Sequence, residues 1–194
     1  MKKKALLLNS LIVVLEAIGL VFYVSRMHTL SLEYYTMDSN ILALITSLLF
    51  LLFYGKEKEW IKDLRLITTC ALTITFLVVI FILTPMLNFR LFYLLFGDEM
   101  LVFHTLCPIL SFISYVFYED ASKKKYLGFC FTMFYALVLV ILNLMNIVDG
   151  PYPFLRIKEQ SIYMTLLWGL IIIGGSYFIG LGINKLNQKI KKSK

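Results

Sequence analysis

A chain of 194 residues that is 60% apolar, 15% aromatic and only 16% charged, with mean hydropathy +0.82, carries more apolar surface than a soluble fold of this length can hide. That excludes a water-soluble domain and points to the bilayer. The net charge of +7 does not indicate nucleic acid, because the lysines and arginines fall in short connectors and tails, where they suit anionic lipid headgroups.

Six apolar runs of about 20 residues, each long enough to cross a bilayer, predict an all-α membrane protein with six transmembrane helices. They cover 5–25, 35–54, 66–87, 100–118, 126–147 and 162–184, in one transmembrane helical domain over 1–194. The first run follows three lysines, as a signal peptide would. Glu16 interrupts it, however, no A-x-A-like cleavage site follows, and five more runs come after, so a retained helix is expected. Its polar residues are Asn9 and Glu16. The second run carries Thr36, Asn40, Ala43 and Ser47 at helical spacing; the fourth carries His104, Cys107, Ser111, Ser114 or Tyr115, and Tyr118; the fifth, Thr132, Tyr135, Asn143 and Asn146. Such stripes should turn inward and bond one another. Pro108 should kink the fourth helix. Ser176 and Gly180 in the sixth run form a small-xxx-small pair that permits close packing. Tyr34, Tyr35, Tyr54, Trp60, Tyr115, Tyr118 and Tyr126 cluster near run ends, as interfacial belts do.

Fifteen lysines and arginines fall in the two tails and every second connector, against four (Arg26, Arg90, Arg156, Lys158) in the alternate set. The positive-inside rule then predicts both termini in the cytoplasm. On that topology Thr36 lies at the outer end of its helix, and His104, five residues after Glu99, roughly 7 Å below the start of its own. With Asn143, Asn146 and Arg156 on the same side, Thr36, Asp38 and His104 are expected to gather in one outer-leaflet polar layer, with no comparable layer at the cytoplasmic end.

A hydroxyl nucleophile needs a base, and imidazole is the usual one, so Thr36 with His104 is a candidate pair. A hydrogen-bonded structural histidine and a proton relay stay open beside it. Cys107, one turn after His104, is a rival nucleophile or simply a small buried residue. Glu16 is a proton handler or a structural hydrogen-bonding group. The three cysteines (Cys70, Cys107, Cys130) have no CxxC spacing and the two histidines no ligand spacing, so neither a metal nor another cofactor is expected.

Three segments together resemble a known family. Tyr34-Tyr35-Thr36-Met37-Asp38-Ser39-Asn40-Ile41-Leu42 is similar to the opening of the second helix in bacterial members of the androgen-induced FAR-17a-like membrane proteins. His104-Thr105-Leu106-Cys107-Pro108, with Tyr118-Glu119 beyond, resembles their "H…P" helix, and Gly150-Pro151-Tyr152-Pro153-Phe154-Leu155 their "YPFL" loop. The animal members are intramembrane threonine hydrolases of fatty acid esters of hydroxy fatty acids. The resemblance implies a threonine nucleophile at Thr36, a histidine base at His104 and a bacterial cytoplasmic membrane. The chain is shorter than the animal enzymes and has Cys107 at an otherwise apolar position, so hydrolysis and acyl transfer are both open.

The expected protein is therefore a lipid esterase. Asn40, Asp38, Asn143, Asn146 and Tyr152 are candidates for the oxyanion site or its support, and Arg90 and Arg156 for a carboxylate or headgroup. Membrane lipids and a lipid ester are the expected partners. The alternatives are a non-catalytic lipid- or partner-binding protein, and a carrier built on Glu16 and His104.

Overall fold

The computed structural model describes residues 2–56, 58–87 and 91–193; Arg90 lies outside the described residues. The described residues are helical throughout their regular structure and contain no β-strand. The long helices are α1 (Lys2–Met27), α2 (Tyr35–Leu52), α3 (Glu59–Val78), α6 (Cys107–Tyr118), α7 (Cys130–Leu144) and α8 (Ile162–Lys192), with the short helix α4 (Thr84–Leu87) at the end of the third span and α5 (Leu91–Phe96) between the third and fourth spans. Six helical stretches are long and apolar enough to cross a membrane: Lys3–Met27, Tyr35–Leu52, Glu59–Met86, Leu101–Tyr118, Lys125–Leu144 and Ile162–Lys192.

The two prolines within spans leave the same mark. A proline has no N–H to give the carbonyl four residues back, and its ring crowds that carbonyl. In both places the helix widens into a π turn just ahead: Val79–Leu83 before Pro85, and Leu101–Leu106 before Pro108. At the first, the Thr84 hydroxyl takes up the Val79 carbonyl at 2.7 Å. The second carries His104.

The third span is the central one, packing against α2, α6, α7 and α8, while α1 closes the bundle against α2 and α6. One end of the bundle collects the lysine-rich connectors. There Lys124 pairs with Asp63 at 3.0 Å, Lys191 pairs with Asp120, and Lys4 lies over the Tyr118 ring. At the opposite end Arg26 of α1 pairs with Asp98 and with the buried Glu99, fastening α1 to the start of the π turn that holds His104.

The third span begins seven residues before the apolar run that announced it. Glu59 opens the helix, and Arg65, expected in a connector, is 0% exposed inside the bundle. Its guanidinium makes a two-pronged bond to Glu119, Nε to Oε2 and Nη2 to Oε1, both at 3.0 Å, and also donates to Ser47 and Ser111. Asn9 and Ser114 donate to Glu119 from α1 and α6, at 2.9 and 2.6 Å. Thr69 bonds Ser111 at 2.9 Å, and Asn187 of α8 holds the Glu119 carbonyl at 3.1 Å. The lysine-rich end thus holds a large buried polar layer, contrary to the sequence expectation. Charges near a run's end read as connector, yet these two neutralise each other between helices. Tyr35 and Tyr115 likewise leave the expected interfacial belt. Both are buried, with phenols bonded to Thr132 and Asn184 at 2.8 Å.

The Ser176/Gly180 pair packs as expected. The Cys70 thiol donates to the Ser176 carbonyl at 3.3 Å, and a Cβ added at Gly128 would stand 2.7 Å from the Gly180 Cα. Backbone cannot step aside as a side-chain tip can. Gly128→Ala is therefore expected to lower stability by about 1–3 kcal/mol, the usual cost of overpacking. A fall in unfolding temperature in detergent would show it. Gly182→Ala, whose added Cβ meets nothing within 4 Å, should leave the temperature unchanged.

Candidate functional site

Thr36 is the second residue of α2, two positions after the extended Tyr34 that precedes the helix. Tyr34, at the N-cap, makes no side-chain capping bond. The first N–H groups of a helix have no partner within it and carry the positive end of its dipole. The Thr36 carbonyl is held twice, by Asn40 Nδ2 at 2.7 Å and by Ser39 Oγ at 3.0 Å. Ser39 also bonds Thr75 of α3 at 3.0 Å, and Asn40 Nδ2 reaches the Phe103 carbonyl at 3.4 Å. Asn40 is thus a brace between the Thr36 backbone and the histidine's neighbour. Its Oδ1 is buried without a partner.

His104 comes from the fourth span and is 7% exposed. Its Nδ1 lies 2.7 Å from the carbonyl of Leu94, and the Thr105 hydroxyl donates to the Leu95 carbonyl at 2.7 Å. Consecutive side chains of the π turn therefore satisfy the last carbonyls of α5. A carbonyl only accepts, so Nδ1 carries the hydrogen, and in the neutral ring Nε2 presents its lone pair. That lone pair faces the Thr36 hydroxyl, with Oγ1 and Nε2 3.3 Å apart. A threonine and an imidazole from separate helices meet with the tautomer proton transfer requires.

The loop of residues 145–161 closes over this pair. At Gly150 an added Cβ would stand 2.3 Å from the Leu155 carbonyl, so only glycine allows the turn to fold back this tightly. The fold-back stacks Tyr152 on Phe154 (centroids 5.3 Å, 8° between planes), and Phe154 packs on Trp168 of α8 at 5.5 Å. The Tyr152 phenol is thereby aimed at the start of α2, accepting from Thr36 N–H at 3.5 Å and lying near the Thr36 hydroxyl. Burial pushes the phenol up to about 12, so it remains a proton donor through the neutral range.

Beside Thr36 lies a cavity of about 390 Å³ between the third span, α7 and α8, lined mainly by apolar residues such as Val78, Ala136 and Trp168, together with threonines and tyrosines that include Thr36 and Tyr152. None of its lining residues is charged. Met133 and Leu137 line it and are also exposed on the outside of the bundle, so it communicates sideways with the lipid-facing surface between α7 and α8.

Other candidates take different places. Asn143 donates to the Val148 carbonyl at 3.3 Å, ending α7, and Asn146 sits at φ 58 with its side-chain Oδ1 accepting from Lys158 Nζ. Arg156 is exposed, bonding the Gly150 carbonyl at 3.4 Å and Glu159 at 3.4 Å, so it braces the loop. Asp38 is half-buried and makes no side-chain hydrogen bond to the pair. The expected outer layer therefore contracts to Thr36, His104, Asn40 and Tyr152; Asn143, Asn146 and Arg156 shape the loop above them, and Asp38 stays on the first turn of α2. Cys107 is buried beside Glu16, away from the cavity lining. Glu16 is 0% exposed, and the Cys107 thiol is the hydrogen-bonding group beside its carboxyl. The Leu94 carbonyl, which sets the tautomer of His104, carried no sequence signal, because it is backbone.

Comparison of the chain with protein-family models, curated proteins and solved structures found no match to any of them.

Proposed function

We propose that this chain is an intramembrane lipid esterase in which Thr36 is the nucleophile and His104 the base. One observation carries the reading: the Thr36 hydroxyl lies 3.3 Å from a His104 nitrogen whose tautomer is set by the Leu94 carbonyl. The uncharged cavity beside that hydroxyl supports an acyl group as the bound part, being within the roughly 300–1,000 Å³ of ligand pockets. The resemblance to threonine hydrolases of fatty acid esters of hydroxy fatty acids falls on the same two residues and suggests that ester class.

In this mechanism the ester reaches the cavity laterally from the bilayer. Thr36 Oγ1 bonds to the acyl carbonyl carbon while its proton passes to His104 Nε2. The oxyanion is stabilised by the Tyr152 phenol and by the N–H groups at the start of α2. As the C–O bond to the alcohol breaks, His104 returns the proton to the leaving oxygen, leaving an acyl-threonine. Water then gives a proton to Nε2 and attacks the acyl carbon, releasing the fatty acid and restoring the threonine hydroxyl. An acyl transferase would differ only in the acceptor of this last step. Both termini facing the cytoplasm of a bacterial membrane would put the site in the outer leaflet.

An alkyl fluorophosphonate with a fluorescent tag should label the wild-type protein covalently and fail to label Thr36→Ala. Labelling that persists in Thr36→Ala but disappears in Cys107→Ala would move the nucleophile to the thiol and overturn this assignment.

A further inference from the structure

The cavity has a definite height as well as a character. Its three walls run from Ile74 to Leu83 on the third span, from Thr132 to Val140 on α7, and from Thr165 to Ile173 on α8. At 1.5 Å per residue each wall is about 12 Å tall. An extended covalent chain advances about 3.5 Å for every three bonds, so this height takes a straight chain of about ten carbons.

Gly169 occupies the middle of the α8 wall. Thr165 and Ile173 stand one turn to either side of it, and Trp168 and Ile172 flank it, all lining the cavity. A Cβ built at Gly169 meets nothing within 4 Å, so the space in front of it is empty. Ala136, in the α7 wall, is the other small side chain on the lining. Two small residues in walls otherwise built from larger ones leave room at mid-height, where a chain has to pass.

We infer that the cavity is a single-chain acyl slot selective for straight, uncharged chains of about ten carbons, with Gly169 and Ala136 as the residues that admit them. The proposal rests on the hydrolase reading only for the placement of the ester carbonyl at Thr36; the slot itself binds an alkyl chain whether or not chemistry follows. Chains much shorter leave apolar wall uncovered, and chains much longer have to leave through the gap beside Met133 and Leu137.

Trp168 makes occupancy visible. With Trp60 changed to phenylalanine it is the one remaining tryptophan, and Thr36→Ala removes turnover. This protein, in lipid nanodiscs, is titrated with the methyl esters of butanoic, decanoic and hexadecanoic acid while Trp168 emission is recorded. Decanoate should bind about tenfold or more tighter than butanoate, after subtraction of the partitioning seen in empty discs. Adding Gly169→Leu should weaken decanoate about tenfold and leave butanoate unchanged, and Ala136→Leu should act in the same direction. Chain-length-independent binding, or a preference for decanoate that survives Gly169→Leu and Ala136→Leu, would overturn the slot. Hydrolysis assayed with Thr36 intact separates the two ideas: selective binding with no turnover sinks the esterase and leaves the slot standing.

Discussion

His104→Ala is expected to lower kcat for a medium-chain ester by about 10²–10⁴-fold, the range a positioned general base contributes, with KM little altered. Its Nε2 is the group facing the Thr36 hydroxyl, and the ring does not line the cavity where the acyl chain would bind. Thr36→Ala should abolish turnover, and Thr36→Ser should keep part of it, because a serine hydroxyl occupies the same position one methyl group smaller. Since the two side chains act as one unit, the double alanine variant should be no slower than Thr36→Ala. Initial rates of reconstituted variants, corrected for the amount of folded protein, decide the matter. A His104→Ala protein within twofold of wild type would end the dyad hypothesis.

A second large effect belongs to the other end of the bundle and concerns stability. Glu119→Ala leaves the Arg65 guanidinium buried without its carboxylate and is expected to cost about 3–5 kcal/mol. Asn9 and Ser114 lose an acceptor at the same stroke. Arg65→Met combined with Glu119→Leu removes both charges and should be less damaging than Glu119→Ala alone, a coupling that only a direct interaction produces. Urea or thermal unfolding in detergent of the single and double variants measures it; strictly additive losses would show that the pair is not the unit drawn here.

These two sites differ in how far they were legible in the amino-acid string. Helix count came from length and hydropathy, which the bilayer imposes directly. Thr36 and His104 were found by depth arithmetic, since each lies a few residues from the same end of its helix. That arithmetic ignores rotation and tilt, so it also drew in Asn143, which closes the end of α7, and Asn146 and Arg156, which belong to the loop above. Arg65 and Glu119 were hidden for the opposite reason: charges at the edge of an apolar run look solvated until a partner on another helix is known. The cavity left no trace in the sequence at all, because it is the space that packing of α3, α7 and α8 does not fill.

The hydrogen bond from His104 to Leu94 has a consequence for anyone reading variants of this protein. Where an imidazole is oriented by an aspartate, losing that aspartate cripples the enzyme, and three positions light up in a scan. Here the orienting atom belongs to the peptide unit, which every amino acid supplies. Under the hydrolase reading, a conservative apolar replacement at residue 94, which keeps the packing of that side chain against the core, should be nearly silent. The hidden third participant becomes visible only to changes that move the main chain of residues 91–96, such as an inserted or deleted residue.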